Sequence, residues 1–330
     1  MADLTLIIFV IALALVFDFL NGFHDAANSI ATIVGTGVLK PHTAVILATF
    51  WNFFGAFVFS VAVATTIGKG VINPEIVNTF VILAALVGAI FWNILTWYYG
   101  IPSSSSHAII GGLLGAGIAS AGFGSIITSG ITKIVIFIFV APSLGFVGAV
   151  LVSVVVYQIC KKKSPEKTNK YFKGLQLVSS SFYSLGHGTN DAQKTMGVIT
   201  LLLFSGGLIS TFYVPTWVII SSYSAIALGT YFGGWRIVKT MGLQLTKLRP
   251  FQGFSAETAG AGTLFFASHF GIPVSTTHVI AGSIMGVGAA KRVSAVRWKL
   301  ARKIIYAWII TIPASALVAG LTYLIISSFV

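Results

Sequence analysis

The chain has 330 residues, 56% of them hydrophobic and only 8% charged, with a formal net charge of +13 and a mean hydropathy of +0.95. A soluble domain carries about 25% charged residues, so this chain cannot cover a water-facing surface; at about 20 residues per crossing it allows roughly ten to twelve membrane helices. Nucleic acid is not indicated either, because 16 of the 20 Lys and Arg fall in three short blocks, residues 161–173, 236–249 and 291–303, and a nucleic-acid reader needs a basic stripe on a folded face.

In chain order, a first long apolar span covers about residues 4–39 and is interrupted by Gly22-Phe23-His24-Asp25-Ala26-Ala27-Asn28. The run ahead of Asp18 lacks a basic leader, which predicts a retained first helix and not a signal peptide. Two plain spans follow at about 43–66 and 76–99. Gly100-Ile101-Pro102 then leaves almost no loop before a Ser/Thr-rich helix at about 102–119, and a closing span covers about 131–160. Proline suits a first helical turn, where its missing N–H removes no bond, so residues 103–107 read as a helix N-terminus.

After the basic block the same order returns. A long span at about 174–206 is interrupted by Gly188-Thr189-Asn190-Asp191-Ala192-Gln193-Lys194, and spans at about 213–235 and 251–270 follow. Gly271-Ile272-Pro273 introduces a second Ser/Thr-rich helix at about 273–290, and a last span covers about 304–329. The two motif pairs are offset by 166 and 171 residues. The chain thus divides into a first transmembrane repeat (1–160), a short basic cytoplasmic linker (161–173) and a second transmembrane repeat (174–330), forming one integral membrane domain.

Basic blocks between apolar spans mark cytoplasmic loops. The blocks at 236–249 and 291–303 answer loops near residues 68–74 and 120–130, which carry only Lys69 between them. Equivalent loops therefore lie on opposite sides, as five crossings per half require, and both termini fall outside. The expected fold is an all-α polytopic membrane protein of two inverted-topology repeats, with helices broken at the Asp motifs and re-entrant hairpins at the Pro-Ser motifs.

The chemistry follows from residue types. The first N–H groups of a helix have no intrahelical partner and point along a positive dipole end. Ser104, Ser105 and Ser106, with Ser275, Thr276 and Thr277, place two such ends with hydroxyls where a tetrahedral oxyanion fits between them. A Ser ahead of an apolar run is equally a plain N-cap. A carboxylate at the bilayer centre costs about 2.5–3.5 kcal/mol, so Asp25 and Asp191 call for a compensating cation, Na+ or a proton. Asn28, Asn190 and Gln193 add neutral oxygens and donors beside them. Lys194 stands where the first half has Asn28, and pairs with an acid, touches the anion or snorkels to an interface. His107 and His278 close both Ser/Thr motifs, and His24 and His187 flank the acids as accessory candidates. Glu257 reads as a dipole-complementing acid near a helix start. Gly111, Gly115, Gly282 and Gly286 read as close-packing positions. Cys160, the single cysteine, excludes intrachain disulfides.

On these motifs the chain resembles the inorganic phosphate transporter family, the PiT group of secondary carriers. The likeness rests on the duplicated signatures at residues 22–28 and 188–194 and the paired Pro-to-His motifs at 102–107 and 273–278, and covers essentially the whole chain. It implies an inverted-repeat homodimer in the lipid bilayer that holds phosphate between the repeats and runs by Na+ or H+ symport, without a cofactor and not as an enzyme. It implies that Asp25, Asn28, Asn190 and Asp191 serve the cation, and that Ser104, Ser105, Ser275, Thr276 and Thr277 serve phosphate, with Gln193 beside them. His24 departs from the Asn of many members, which bears on Na+ coordination in the first repeat. The short central linker resembles compact bacterial members and suggests the plasma membrane. Sulfate, or another tetrahedral oxyanion, is the alternative cargo. An anion channel fits less well, since channels need a continuous wetted pore, and a hydrolase lacks a facing nucleophile and base.

Overall fold

The computed structural model describes residues 4–58 and 60–329. Among the described residues there are helices and no named strand: α1 (Leu4–Gly35), α2 (Pro41–Phe54), α3 (Ala62–Gly70), α4 (Thr79–Tyr98), α5 (Ser105–Ala121), α6 (Thr128–Cys160), α7 (Pro165–Ser205), α8 (Thr216–Phe232), α9 (Trp235–Lys239), α10 (Pro250–His269), α11 (Thr276–Lys291) and α12 (Trp298–Ser327).

Several expectations are corrected. Both Asp motifs lie inside unbroken helices, α1 of 32 residues and α7 of 41. Their glycines serve close contact, not breakage. A Cβ on Gly22 would run into the Ile226 carbonyl of α8, and one on Gly188 into the Asn52 backbone of α2. The span expected at 43–66 is instead a bent pair, Pro41–Phe57 and Ala62–Gly70, turned by 80°. Helix α7 begins within the basic stretch 161–173, at Pro165, with Ser164 as N-cap. Of the ten to twelve spans expected, four helices among the described residues are long and apolar enough to cross a membrane, α1, α4, α6 and α12, or five if the bent pair is one span. Helix α7, about 60 Å long at 1.5 Å per residue, has the length but carries a polar buried face that includes Gln176, Ser184, His187 and Asp191.

The tight turns are where the sequence places them. Gly100 and Gly271 take φ of +64° and +62°, the left-handed region glycine enters freely. Helices α5 and α11 start three residues after Pro102 and Pro273. The prolines therefore precede the N-caps and do not occupy the first turn.

Packing exchanges the halves. The closing helix of the first half, α6, lies against α10 and α11, and the closing helix of the second, α12, lies against α4 and α5. Two apolar clusters result. One gathers α3, α4, α5 and α8 around the start of α1 and the end of α7; the other gathers α2, α6, α10 and α11 around the end of α1. The outward faces of α6 and α12, with Phe139, Leu151, Leu317 and Ile325, stay exposed, as lipid-facing surface should.

The basic blocks converge. Arg297 N–H donates to the Leu245 carbonyl at 3.0 Å, the Thr246 hydroxyl to Ala295 at 3.0 Å, and Lys161, Lys163 and Arg249 line one cleft beside Cys160. In the first half the matching segments also meet, Ile127 N–H on the Val71 carbonyl at 3.2 Å and Asn73 N–H on Ser125 at 2.9 Å, without a basic cluster.

The exchanged contacts depend on small residues. A Cβ on Gly115 would strike the Ala316 carbonyl of α12, and one on Gly286 the Phe146 carbonyl of α6, whereas Gly124 faces open space. Gly115→Val and Gly286→Val are expected to lower stability by about 1–3 kcal/mol, as overpacking does. Thermal denaturation in detergent checks this, with Gly124→Ala expected within error of the parent.

Candidate functional site

On α1 the residues Asp18, Asn21, Asp25, Asn28 and Thr32 are spaced by three or four and all are buried, so they form one polar stripe along an uninterrupted helix. On α7 Gln176, Ser180, Tyr183, His187, Asp191 and Lys194 form a second. The two stripes meet the N-termini of α5 and α11 in the middle of the molecule, where every group named below is at most 5% exposed.

The contacts repeat across the two halves. Ser104 and Ser275 are N-caps, accepting the His107 N–H at 3.1 Å and the His278 N–H at 3.3 Å. The next residue in each helix turns to the acid of its own half. Ser105 Oγ lies 2.8 Å from Asp25 Oδ2 and 2.5 Å from Asn21 Oδ1, either of which can accept its one proton, and Thr276 Oγ1 donates to Asp191 Oδ2 at 2.9 Å. The residue after that is reached from the opposite half. Asn28 Nδ2 donates to Thr277 Oγ1 at 2.9 Å and to Thr276 Oγ1 at 3.1 Å, while Lys194 Nζ donates to Ser106 Oγ.

The charged groups are balanced locally. Lys194 Nζ pairs with Asp191 and also donates to the Val274 carbonyl at 2.9 Å. At 1% exposure it does not snorkel, and it pairs with an acid. His187 Nε2 lies 3.2 Å from Asp191 Oδ2. Asp25 faces His24 Nδ1 at 2.6 Å, whose other nitrogen meets the Thr96 hydroxyl at 3.1 Å. Ligand atoms of Asp25, His187 and Asp191 all lie within 4.8 Å of one another, so these three side chains can share one small cation. Removing one partner of such a buried pair costs about 3–5 kcal/mol.

Other expected residues are placed differently. Gln193 Oε1 accepts the Val63 and Ala64 N–H groups at 2.9 and 3.3 Å, holding the start of α3, while its Nε2 has no hydrogen-bond partner. Asn190 Nδ2 donates to Ser268 Oγ at 3.1 Å, and the Oδ1 atoms of Asn28 and Asn190 are buried acceptors without a partner. The rings of His107 and His278 meet edge-on with centroids 4.7 Å apart, and His278 stacks on Trp308 at 3.9 Å.

Glu257 corrects the expected helix-dipole role. It lies eight residues into α10, is fully buried, and accepts from Thr32 at 2.6 Å, Gln176 at 3.0 Å and Ser179 at 2.5 Å. The sequence reading also missed Asn21, Thr96 and Tyr183, whose hydroxyl donates to the Thr276 carbonyl at 2.9 Å. The three-and-four spacing of the two stripes was the available signal for Asn21 and Tyr183; Thr96, on α4, carried none.

Comparison with known proteins gives a consistent result. The sequence model of the phosphate transporter family matches residues 21–319. A protein of Rhizobium meliloti named "Probable low-affinity inorganic phosphate transporter" is 59% identical over 96% of this chain and 96% of its own length. A Bacillus subtilis protein of the same name is 47% identical over 98% of each. A solved structure described as the sodium-dependent phosphate transporter shares the fold, with a TM-score of 0.90 over 99% of this chain and 100% of that chain at 24% identity.

Because Ser104 and Ser275 cap their helices, Ser104→Ala and Ser275→Ala are each expected to lose about 1 kcal/mol of stability and the glycine variants only a few tenths. Denaturation midpoints of the four variants check the assignment.

Proposed function

The chain belongs to the phosphate transporter family, and on that premise we propose that it is a secondary active symporter that imports inorganic phosphate, driven by a Na+ or H+ gradient, by alternating access with the anion bound between two inverted repeats (1–160 and 174–330). The observation that carries this reading is how the hydroxyl protons are used. A hydroxyl has one O–H to give. The one proton of Ser105 is claimed by Asn21 or Asp25, and that of Thr276 by Asp191.

A tetrahedral oxyanion between α5 and α11 needs those same protons. Once they turn to the anion, the carboxylates lose their donors and must be neutralised another way. A cation does this, with Asp25, Asp191 and the free Oδ1 atoms of Asn28 and Asn190 as oxygen donors. Anion and cation therefore favour each other's binding, which is the coupling free energy a symporter requires. Ser106, Thr277 and the free Nε2 of Gln193 complete the donor set for phosphate. Ser104 and Ser275 contribute through the helix ends they cap.

The convergent basic cluster at 161–173, 236–249 and 291–303 supports placing that face in the cytoplasm, with both termini outside, in the plasma membrane of a bacterium. A homodimer burying part of the exposed apolar surface is consistent with this placement.

Reconstituted vesicles test the function. Phosphate uptake is expected to rise under an imposed Na+ or pH gradient and to be inhibited by arsenate and not by sulfate. Asp25→Asn is expected to lower it at least about tenfold, a loss of 1.4 kcal/mol, and Ser105→Ala with Thr276→Ala to raise the half-saturation concentration by a similar factor. Inhibition by sulfate alone, or full uptake by Asp25→Asn, defeats the reading. For orientation, a membrane-impermeant maleimide is expected to label Cys160 in inside-out vesicles and not in right-side-out vesicles.

A further inference from the structure

Lys194 does something its counterpart Asn28 does not. A lysine ammonium has three N–H donors and no acceptor. Here all three are used, on Asp191 Oδ1, the Ser106 hydroxyl and the Val274 carbonyl, so none is left to meet a transported anion. A carboxylate, a hydroxyl and a main-chain carbonyl around one positive centre make the kind of oxygen cage in which transporters hold Na+. The three oxygens come from α7, from the start of α5 and from the segment ahead of α11, so the cage is assembled by the fold and not by one local turn.

The first half differs at the position three residues beyond its acid. Asp25 receives the Ser105 and Thr277 hydroxyls, as Asp191 receives Thr276, but the residue three positions on is the neutral Asn28. Lysine's flexible stem carries its charge as a compact point, which suits the place of a monovalent ion.

We propose that the Lys194 ammonium is a tethered cation filling the second of two carboxylate sites, so that Asp191 holds no Na+ of its own and the one free coupling cation is the one at Asp25, to which Asp191 lends only its other oxygen. The proposal is a specificity device of the transport site and rests on that reading, but ion binding tests it separately.

The test uses the purified full chain in detergent, with radiolabelled Na+ binding counted and melting temperatures compared in NaCl and choline chloride. Lys194→Asn, which writes the first-half residue into the second, is expected to bind one Na+ more per chain than the parent and to melt several degrees higher in NaCl than in choline. Lys194→Asn combined with Asp191→Asn removes both charges, and is expected to lose the extra Na+ and the salt-specific shift. If Lys194→Asn melts alike in both salts with the parent's Na+ count, or fails to fold in both while the double variant folds, Lys194 is a charge partner only and the proposal is overturned. Failure of both variants to fold in either salt overturns it as well, since a vacated Na+ cage must accept Na+. A parent chain that carries no phosphate defeats the transport reading, whereas the Na+ counts still decide this one.

Discussion

Two carboxylates buried where water cannot reach them are the constraint on which the rest of the structure depends. Asp25 and Asp191 are at most 2% exposed, and an ionised group there is tolerated only if its lone pairs are satisfied and its charge is met. The surrounding residues follow from that demand. Small hydroxyl side chains reach in from helix ends, where dipoles and unpaired N–H groups add positive potential. A histidine stands beside one acid, and a histidine and a lysine beside the other. The supply of protons is nearly matched to the demand, and this makes the arrangement responsive: whatever claims a hydroxyl obliges the acid behind it to find another partner.

That polar seam is held by the way the halves are interleaved. Helices α6 and α12 each leave their own half to pack on the other's Ser/Thr helix through glycines that admit the opposing backbone. Each hydroxyl-bearing N-terminus is thereby both braced and hydrogen-bonded from the opposite half: Asn28 reaches Thr277, and Lys194 reaches Ser106. A movement of one apolar cluster against the other would act on the polar contacts between them, while each cluster, built from helices of both halves, stays packed. Separation of a polar, exchangeable seam from two apolar bodies is the mechanical requirement for rigid-body rocking around a central site.

Much of this was legible in the primary structure. Composition alone indicated a membrane protein. The duplicated motifs pointed to the residues that meet at the centre, and the Gly-Ile-Pro signals located the starts of α5 and α11. Less legible was the course of the backbone through the Asp motifs. Glycine, Asn and Asp together suggest a helix break by local preference, but Gly22 and Gly188 are there to let another helix approach, and the helix continues. Reading a break hid the three-and-four spacing that joins Asp18, Asn21, Asp25, Asn28 and Thr32 into one face. Glu257 was misassigned for a related reason: its partners Thr32, Gln176 and Ser179 are remote in sequence, and nothing local announces them.

The sequence by itself determined the apolar class, the duplication, the turns and the list of polar groups that must be buried, because hydrophobicity, proline and left-handed glycine act through neighbouring residues. Only the tertiary structure decided which donor serves which acid: that Lys194 closes on Asp191, that Gln193 holds α3, and that each closing helix covers the opposite half. The last two depend on the approach of segments more than a hundred residues apart; Lys194 and Asp191 are only three residues apart, but which of the nearly equal partners open to a buried ammonium it takes is set by packing geometry, which no local pattern encodes.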